Sequence, residues 1–359
     1  MKIATKYIYK ELCLIMFYFI FAGTFIYLFI DVIDRIDRFF KYGVSYSVIF
    51  YYFVLKVPLI VSQIFPVIVF LSIIIFFSIF INNNEVLVLL SGGVDYNYFF
   101  KIVFLFSLFL FFFYLFVFQE ISSKLMLKTN AIWRKDVMKK ELLKKKLYHI
   151  WIKQENKIIN IIEYDQKKHR GSGVNVIILD DQDQKVKELY KAKKCVYQNN
   201  KLILYSPTVI IPDKFTIYTQ NKKIFTNLKL NFKMLALLKS KLPKNILSFF
   251  TLANLLFFLK KSGINTTEVL TALLAKFAYS FSILVLAMLA LGISLLFKNM
   301  VKSVLIGLVI IFAYYTVFTL GTTLSQKSIC NPFLGTWMAN FFFGVLSILV
   351  LKKVINKPF

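Results

Sequence analysis

Few side chains in this protein are of kinds that do covalent chemistry, and their spacing does not bring them together. His149 and His169 are the two histidines, no HExxH or GxSxG pattern occurs, and Cys13, Cys195 and Cys330 form no CxxC pair. Metal-assisted hydrolysis and nucleophilic catalysis therefore lack their parts. The phosphate-cradling loop GxxxxGK[ST] is absent, and "HRGSG" at 169–173 falls in a turn between expected strands, without the helix a phosphate cradle needs. The expectation is a protein that is not an enzyme and holds no metal. What remains is charge. One carboxylate, Glu85, heads the apolar stretch "NEVLVLLSGGV", and five cations, Arg35, Arg38, Lys41, Lys56 and Lys276, sit near the ends of apolar runs. A carboxylate beside leucines suits docking into a groove, and clustered cations suit anions.

The elements that must position these residues are membrane helices. Six apolar runs, Leu12–Ile30, Val57–Ile81, Ile102–Phe118, Phe277–Phe297, Ser303–Leu324 and Leu334–Leu351, are each bounded by charged or turn-forming residues. Each has the length, about 17–25 residues, that a helix needs to cross a bilayer. No small-residue cleavage site follows the first run, so it reads as a retained span.

Basic residues near span ends give the orientation. Lys2, Lys6, Lys10, Lys101, Lys298, Lys302, Lys352, Lys353 and Lys357 fall on one side, against Arg35, Arg38, Lys41 and Lys327 on the other. Both termini are expected in the cytoplasm and the long segment after span three outside it. The formal charge of +27 rests almost wholly on lysine, with four arginines. In a membrane protein it points to A/T-rich coding and anionic headgroups, and no nucleic-acid partner is expected. The three cysteines are expected to be unpaired, although Cys195 and Cys330 share the oxidising side.

The organisation expected is therefore spans one to three over 1–120, an outside domain over 121–262 and spans four to six over 263–359. Inside the outside domain, "YHIWIK", "KIINIIEY", "GVNVIIL", "KLILYS" and "FTIYT" read as short strands separated by turns such as "KQEN", "DDQDQ" and "YQNN". Their repetition implies an antiparallel sandwich or open barrel. "ISSKLMLKTNAIWRKDVMKKELLKKK" reads as a helical extension of span three. "LSFFTLANLLFFLKKSG" reads as an amphipathic helix ending at Gly263 and lying near the membrane surface.

Between spans two and three, Asn82 is a suitable N-cap, Glu85 can complete a capping box, and Gly92 and Gly93 end a short helix over 82–92. Its "VLVLL" surface belongs either on the lipid interface or in a partner's groove.

Taken in order, several stretches resemble the LptF/LptG permeases of lipopolysaccharide export. They are "RFFKYGVSYS", Pro58 and Pro66 flanking Gln63, "NNEVLVLLSGGV", "LYHIWIKQENKIINIIEY", "LSFFTLANLLFFLKKSG" and "NPFLGTWMANFFFGVLSILVL". "IDRFFKYG" and "LYHIWIKQ" look more like LptG than LptF. The resemblance implies an α-helical polytopic membrane protein of six transmembrane helices with an inserted periplasmic all-β jellyroll-like domain, in the inner membrane.

As that resemblance implies, the short helix is a coupling helix that engages a cytoplasmic LptB-type ATPase dimer through Asn84, Glu85, Val86, Leu87, Leu89, Leu90, Ser91 and Gly92. Ser91-Gly92-Gly93 departs from the Ala-Ser-Gly-like triplet of the family. No cofactor binds the chain directly, since ATP and magnesium belong to the ATPase. The other implied partners are a paralogous LptF-type permease, an LptC-type single-span protein and an LptA-type bridge. Lipopolysaccharide phosphates are expected at Lys41, where Phe40 replaces one member of a lysine pair, and at Arg35, Arg38, Lys56 and Lys276. Against this, Asp31–Arg35, Asp34–Arg38 and Asp37–Lys41 have the i,i+4 spacing that simply stabilises a helix. Two other classes compete: an ion-driven lipid transporter, for which no midplane charges are found, and a non-transporting envelope assembly protein.

Overall fold

The computed structural model describes residues 2–139, 146–166, 168–180, 185–198, 200–226, 228, 232, 234–235, 244–262 and 264–356. They divide into two compact units. One comprises Met1–Lys139, Lys244–Leu252 and Thr267–Phe359, and the other Lys140–Pro243 and Ala253–Thr266.

The helical unit opens with α1 (Lys2–Lys41), α2 (Tyr46–Asn82), the short α3 (Glu85–Ser91) and α4 (Tyr96–Phe113). A π turn at Tyr114–Phe118 carries α4 into α5 (Gln119–Ile132), and a second π turn, Trp133–Val137, ends that helix. After the β strands come α6 (Phe249–Lys261), which belongs to this unit only as far as Leu252, and then α7 (Thr267–Phe297), α8 (Met300–Gln326) and α9 (Pro332–Asn356). Six helices are long and apolar enough to span a membrane, in the order the apolar runs foretold. Most outrun those apolar stretches: the 40 residues of α1 extend about 60 Å, roughly twice a hydrocarbon core.

One device reverses the chain twice. After α1, Gly43 at φ 65° donates its amide to the Phe40 carbonyl at 3.0 Å, and the Val44 amide reaches Phe39 at 3.2 Å. After α3, Gly93 at φ 84° donates to Leu90 at 3.0 Å, and Val94 to Leu89 at 3.1 Å. Both are Schellman ends, in which only a residue free of a Cβ enters the left-handed region without strain. "KYGVSY" and "SGGVDY" are thus one turn used twice, and Ser45 and Asp95 then take extended backbone as N-caps of α2 and α4.

The bundle core is built on α2 and α7, with Phe70, Phe77, Phe99, Leu286 and Tyr314 fully enclosed. Small residues set the closest crossings. A Cβ on Gly321 of α8 would lie 2.1 Å from the Gly335 carbonyl oxygen of α9, and one on Gly307 would meet Ile74 at 2.6 Å. These glycines serve packing within the chain.

In the β unit, eight antiparallel strands form one sheet: β1 (Lys146–Gln154), β2 (Lys157–Asp165), β3 (Arg170–Leu179), β4 (Val186–Gln198), β5 (Lys201–Tyr205), β6 (Thr208–Ile211), β7 (Thr216–Thr219) and β8 (Lys222–Phe225). The order is β1-β2-β3-β4-β5-β8, with β6 joining β4 to β7, so β4 pairs β5 through its end and β6 through its middle. Ile150, Ile161, Val176, Tyr190 and Leu204 alternate inward to form the core. The β unit is thus the inserted all-β element expected.

Three strands, β4, β6 and β8, were not foreseen. In "VKELYKAKKCVYQ" the lysines at 187, 191, 193 and 194 mask the inward set Tyr190, Ala192 and Cys195, which is buried. "HRGSG" is not the expected turn either, because Gly171 and Gly173 lie within β3. A Cβ on Gly171 would strike the Cys195 sulfur at 2.7 Å, so the missing side chain makes room for the thiol of the paired residue. All three cysteines are free thiols.

In α6, Ser248 caps the helix by accepting the Thr251 amide at 3.2 Å, and Leu252, Leu255 and Leu259 are all buried. That leucine stripe is covered by protein, while Phe250 and Phe257 are exposed. Gly263, its expected end, the "DDQDQ" turn beyond Asp180 and the end of the α5 extension past Lys139 lie outside the described residues.

Candidate functional site

At the end of the bundle where α2 gives way to α4, α3 is held on a two-residue link. The expected capping box does not form, because α2 runs on through Asn82 and leaves only Asn83 and Asn84 to turn the chain. Asn84 is the N-cap, at φ 61° with no side-chain cap bond, a conformation asparagine tolerates better than most residues. The Asn83 side-chain Nδ2 donates instead to Glu85 Oε1 at 3.3 Å. Val86 is fully buried against the bundle core, and Leu89 and Leu90 are half-buried against it. The outward surface is Leu87, Val88, Ser91 and Gly92 around a half-buried Glu85, and Val88, at 65% exposure, is its most open apolar residue. Val86 thus anchors the helix, and Val88, which the sequence reading passed over, takes the outward place.

The five cations do not form one ring. Asp31 of α1 collects two of them: Arg35 Nε binds Oδ1 at 2.9 Å, and the Lys56 ammonium reaches across from α2 to Oδ2. Arg35 also donates to the Tyr52 hydroxyl at 3.3 Å and lies 4.9 Å from the Trp133 ring centre, with Arg38 at 5.9 Å from the same ring. Of the three expected i,i+4 pairs, only Asp31–Arg35 is present among the described residues, and Arg38 lies over the Trp133 ring instead of pairing with Asp34. Lys41 is exposed at the end of α1, beside Phe40. Phe40 lines an apolar groove of about 370 Å³ between α1 and α2, together with Leu28, Val32, Phe50 and Val54.

Lys276 stands apart, in a cavity of about 460 Å³ bordered by α2, the first π turn, α5, α7 and α8. Pro66 explains much of its polar lining. Proline has no N–H for the carbonyl four residues back and crowds the helix there. The Ser62 carbonyl accepts the Tyr114 hydroxyl at 2.8 Å, and the Gln63 carbonyl accepts the Tyr279 hydroxyl, whose oxygen is 3.0 Å from that of Tyr315. Tyrosines from two other helices thus satisfy the backbone at the proline, as an apolar bilayer demands. Pro66 and Gln63 were legible signals of this site. Gln119, Tyr279 and Tyr315 were not, since nothing local distinguishes them from packing residues. Among the described residues no group of three His, Cys, Asp or Glu side chains stands ready for a metal.

Six membrane-length helices with an antiparallel β unit inserted after the third define a polytopic membrane protein. The chain belongs to the LptF/LptG family: the family described as lipopolysaccharide export system permease LptF/LptG matches residues 6–353. No curated protein matches it. Membership makes the chain a lipopolysaccharide export permease, a transport subunit and not itself a catalyst, of the multi-pass inner-membrane kind. The match does not separate the LptF branch from the LptG branch.

Proposed function

We propose that the chain is the membrane subunit of an ATP-driven exporter that lifts lipopolysaccharide from the inner membrane toward a periplasmic bridge, and that it takes its force through α3 from a separate ATPase dimer. The observation that carries this reading is α3 itself. Val86, with Leu89 and Leu90 half-buried behind it, holds the helix against the bundle, while Glu85, Leu87 and Val88 are left outward. A firmly held helix is what transmission requires, because ATP acts only through a difference in affinity between two states of the permease. A carboxylate among apolar side chains suits a basic residue at the rim of an apolar groove. ATP and magnesium then belong to the ATPase, and the chain itself binds no cofactor.

The α3 side faces the cytoplasm and the β unit the periplasm, as the lysine distribution argues. Lys41, exposed at the end of α1 and one residue after the groove-lining Phe40, offers a cation for a lipid phosphate, and the α1–α2 groove an apolar bed for acyl chains. Arg35 and Lys56, held by Asp31, shape that region and contact lipid less directly. A paralogous permease would cover α1, whose most apolar stretch is almost wholly unburied in this chain, Thr24 excepted. The strand β1, which among the described residues pairs with β2 alone, offers the LptC-type and LptA-type proteins an edge to extend.

Copurification from native membranes tests the reading. Glu85→Arg is expected to abolish recovery of a soluble ATPase while leaving the permease folded. Undiminished recovery would overturn the coupling role and favour an assembly protein.

A further inference from the structure

We infer that the cavity at Lys276 is a binding site, internal to one chain, for a singly charged phosphate of the phosphodiester headgroup class that also carries an N–H or O–H donor.

The hydroxyls of Tyr114 and Tyr279 are spent on the carbonyls that Pro66 displaces, so they do not account for the other polar atoms. Two of those atoms are left over. The Lys276 ammonium makes one hydrogen bond, to Ser123 Oγ at 3.3 Å, and among the described residues no carboxylate lies within ion-pair distance of it. The neighbouring Glu120 carboxylate accepts the Phe250 amide instead. A cation inside a helical bundle with most of its donors unused needs an anion.

The second atom is Gln119 Oε1. The Gln119 side chain is 5% exposed, and its amide nitrogen donates to the Lys276 carbonyl at 2.8 Å and to Ser280 Oγ at 2.9 Å. The backbone carbonyl can only accept, so it fixes which end of the amide is nitrogen. The oxygen is thereby turned the other way, buried and without a donor among the described residues. A ligand for this site must bring a negative oxygen to Lys276 and a donor to Gln119, and the phosphodiesters of ethanolamine, glycerol or a sugar all do so. The single cation selects one negative charge, and about 460 Å³ admits a headgroup but not the body of a multi-acyl glycolipid. Neither a second permease nor an ATPase is needed to complete the site, so it stands apart from the coupling role of α3.

The test is native mass spectrometry of the full chain purified with its membrane partners, comparing wild type with Lys276→Gln, Lys276→Arg and Gln119→Glu. Wild type is expected to retain a phosphate-bearing adduct that Lys276→Arg keeps. Lys276→Gln and Gln119→Glu should lower its occupancy at least about tenfold, as befits a lost charge-assisted contact or a competing carboxylate. The adduct mass separates a bilayer phospholipid from a lipopolysaccharide, and displacement by added inorganic phosphate identifies a site that takes the free ion. Gln119→Glu, nearly isosteric, decides the matter if Lys276→Gln does not fold. Equal occupancy in wild type and Gln119→Glu, or no phosphate-bearing adduct in wild type, would overturn the inference. ATPase recovery measured on the same samples keeps this outcome separate from any failure at α3.

Discussion

The Tyr114 hydroxyl donates at 2.8 Å to the Ser62 carbonyl, the acceptor that Pro66 leaves without an amide in its own helix. Tyr114→Phe should therefore strand a buried carbonyl and cost about 1–3 kcal/mol. Pro66→Ala restores an N–H four residues on, so in that background the same change should cost much less. A double-mutant cycle on thermal unfolding in detergent reads the difference. Additive effects would mean that the hydroxyl does not serve the proline.

On α3, burial separates two valines two residues apart. Val88→Asp, at an exposed position, should leave the melting temperature nearly unchanged and abolish copurification of the ATPase. Val86→Ala, in the core, should lower stability by ~2 kcal/mol and weaken ATPase recovery only as far as α3 loosens.

The α8–α9 crossing has no room for a methyl group. Gly321→Ala would set a Cβ 2.1 Å from the Gly335 carbonyl oxygen, backbone that cannot swing aside, so the yield of folded protein in membranes should collapse. Gly344→Ala, with nothing within 4 Å of its Cβ, is the control and should express normally.

Burial pushes the Cys195 thiol up to about 12 from an ordinary 9.0, and burial also raises the Tyr164 and Tyr190 hydroxyls of the same core. The unfolded chain gives up the thiol proton first, so between those two values the folded state binds more protons and stability falls as pH rises. The β unit should hold its full stability below about pH 9 and lose it progressively toward pH 12. Circular dichroism in the strand region across that range checks the slope. A maleimide at neutral pH should label the exposed Cys330 and spare Cys195 until the protein is unfolded.

Five strands, the six spans and the glycine turn after α3 could be read from the sequence because each rests on a local pattern: alternation, an apolar run of bilayer length, or a residue that tolerates positive φ. The capping box could not be tested locally, since Asn82 suits an N-cap equally well whether or not the preceding helix has ended. β4 was hidden for a related reason: four outward lysines outweigh a small inward set in any count of hydrophobicity, although β4 is the strand that joins three others.

The sequence by itself settled that this is a six-span membrane protein with an inserted β unit and a short apolar helix headed by Glu85, because bilayer thickness and backbone hydrogen bonding leave a long apolar chain few alternatives. The fold alone decided which of its charges face one another. Asp31 gathers Arg35 with Lys56 from another helix, while Lys276 is set beside Ser123 and Gln119, from a stretch some 150 residues earlier in the chain. Such pairings depend on helix rotation and crossing, which are fixed by packing at points such as Gly321 against Gly335, and no local spacing encodes them.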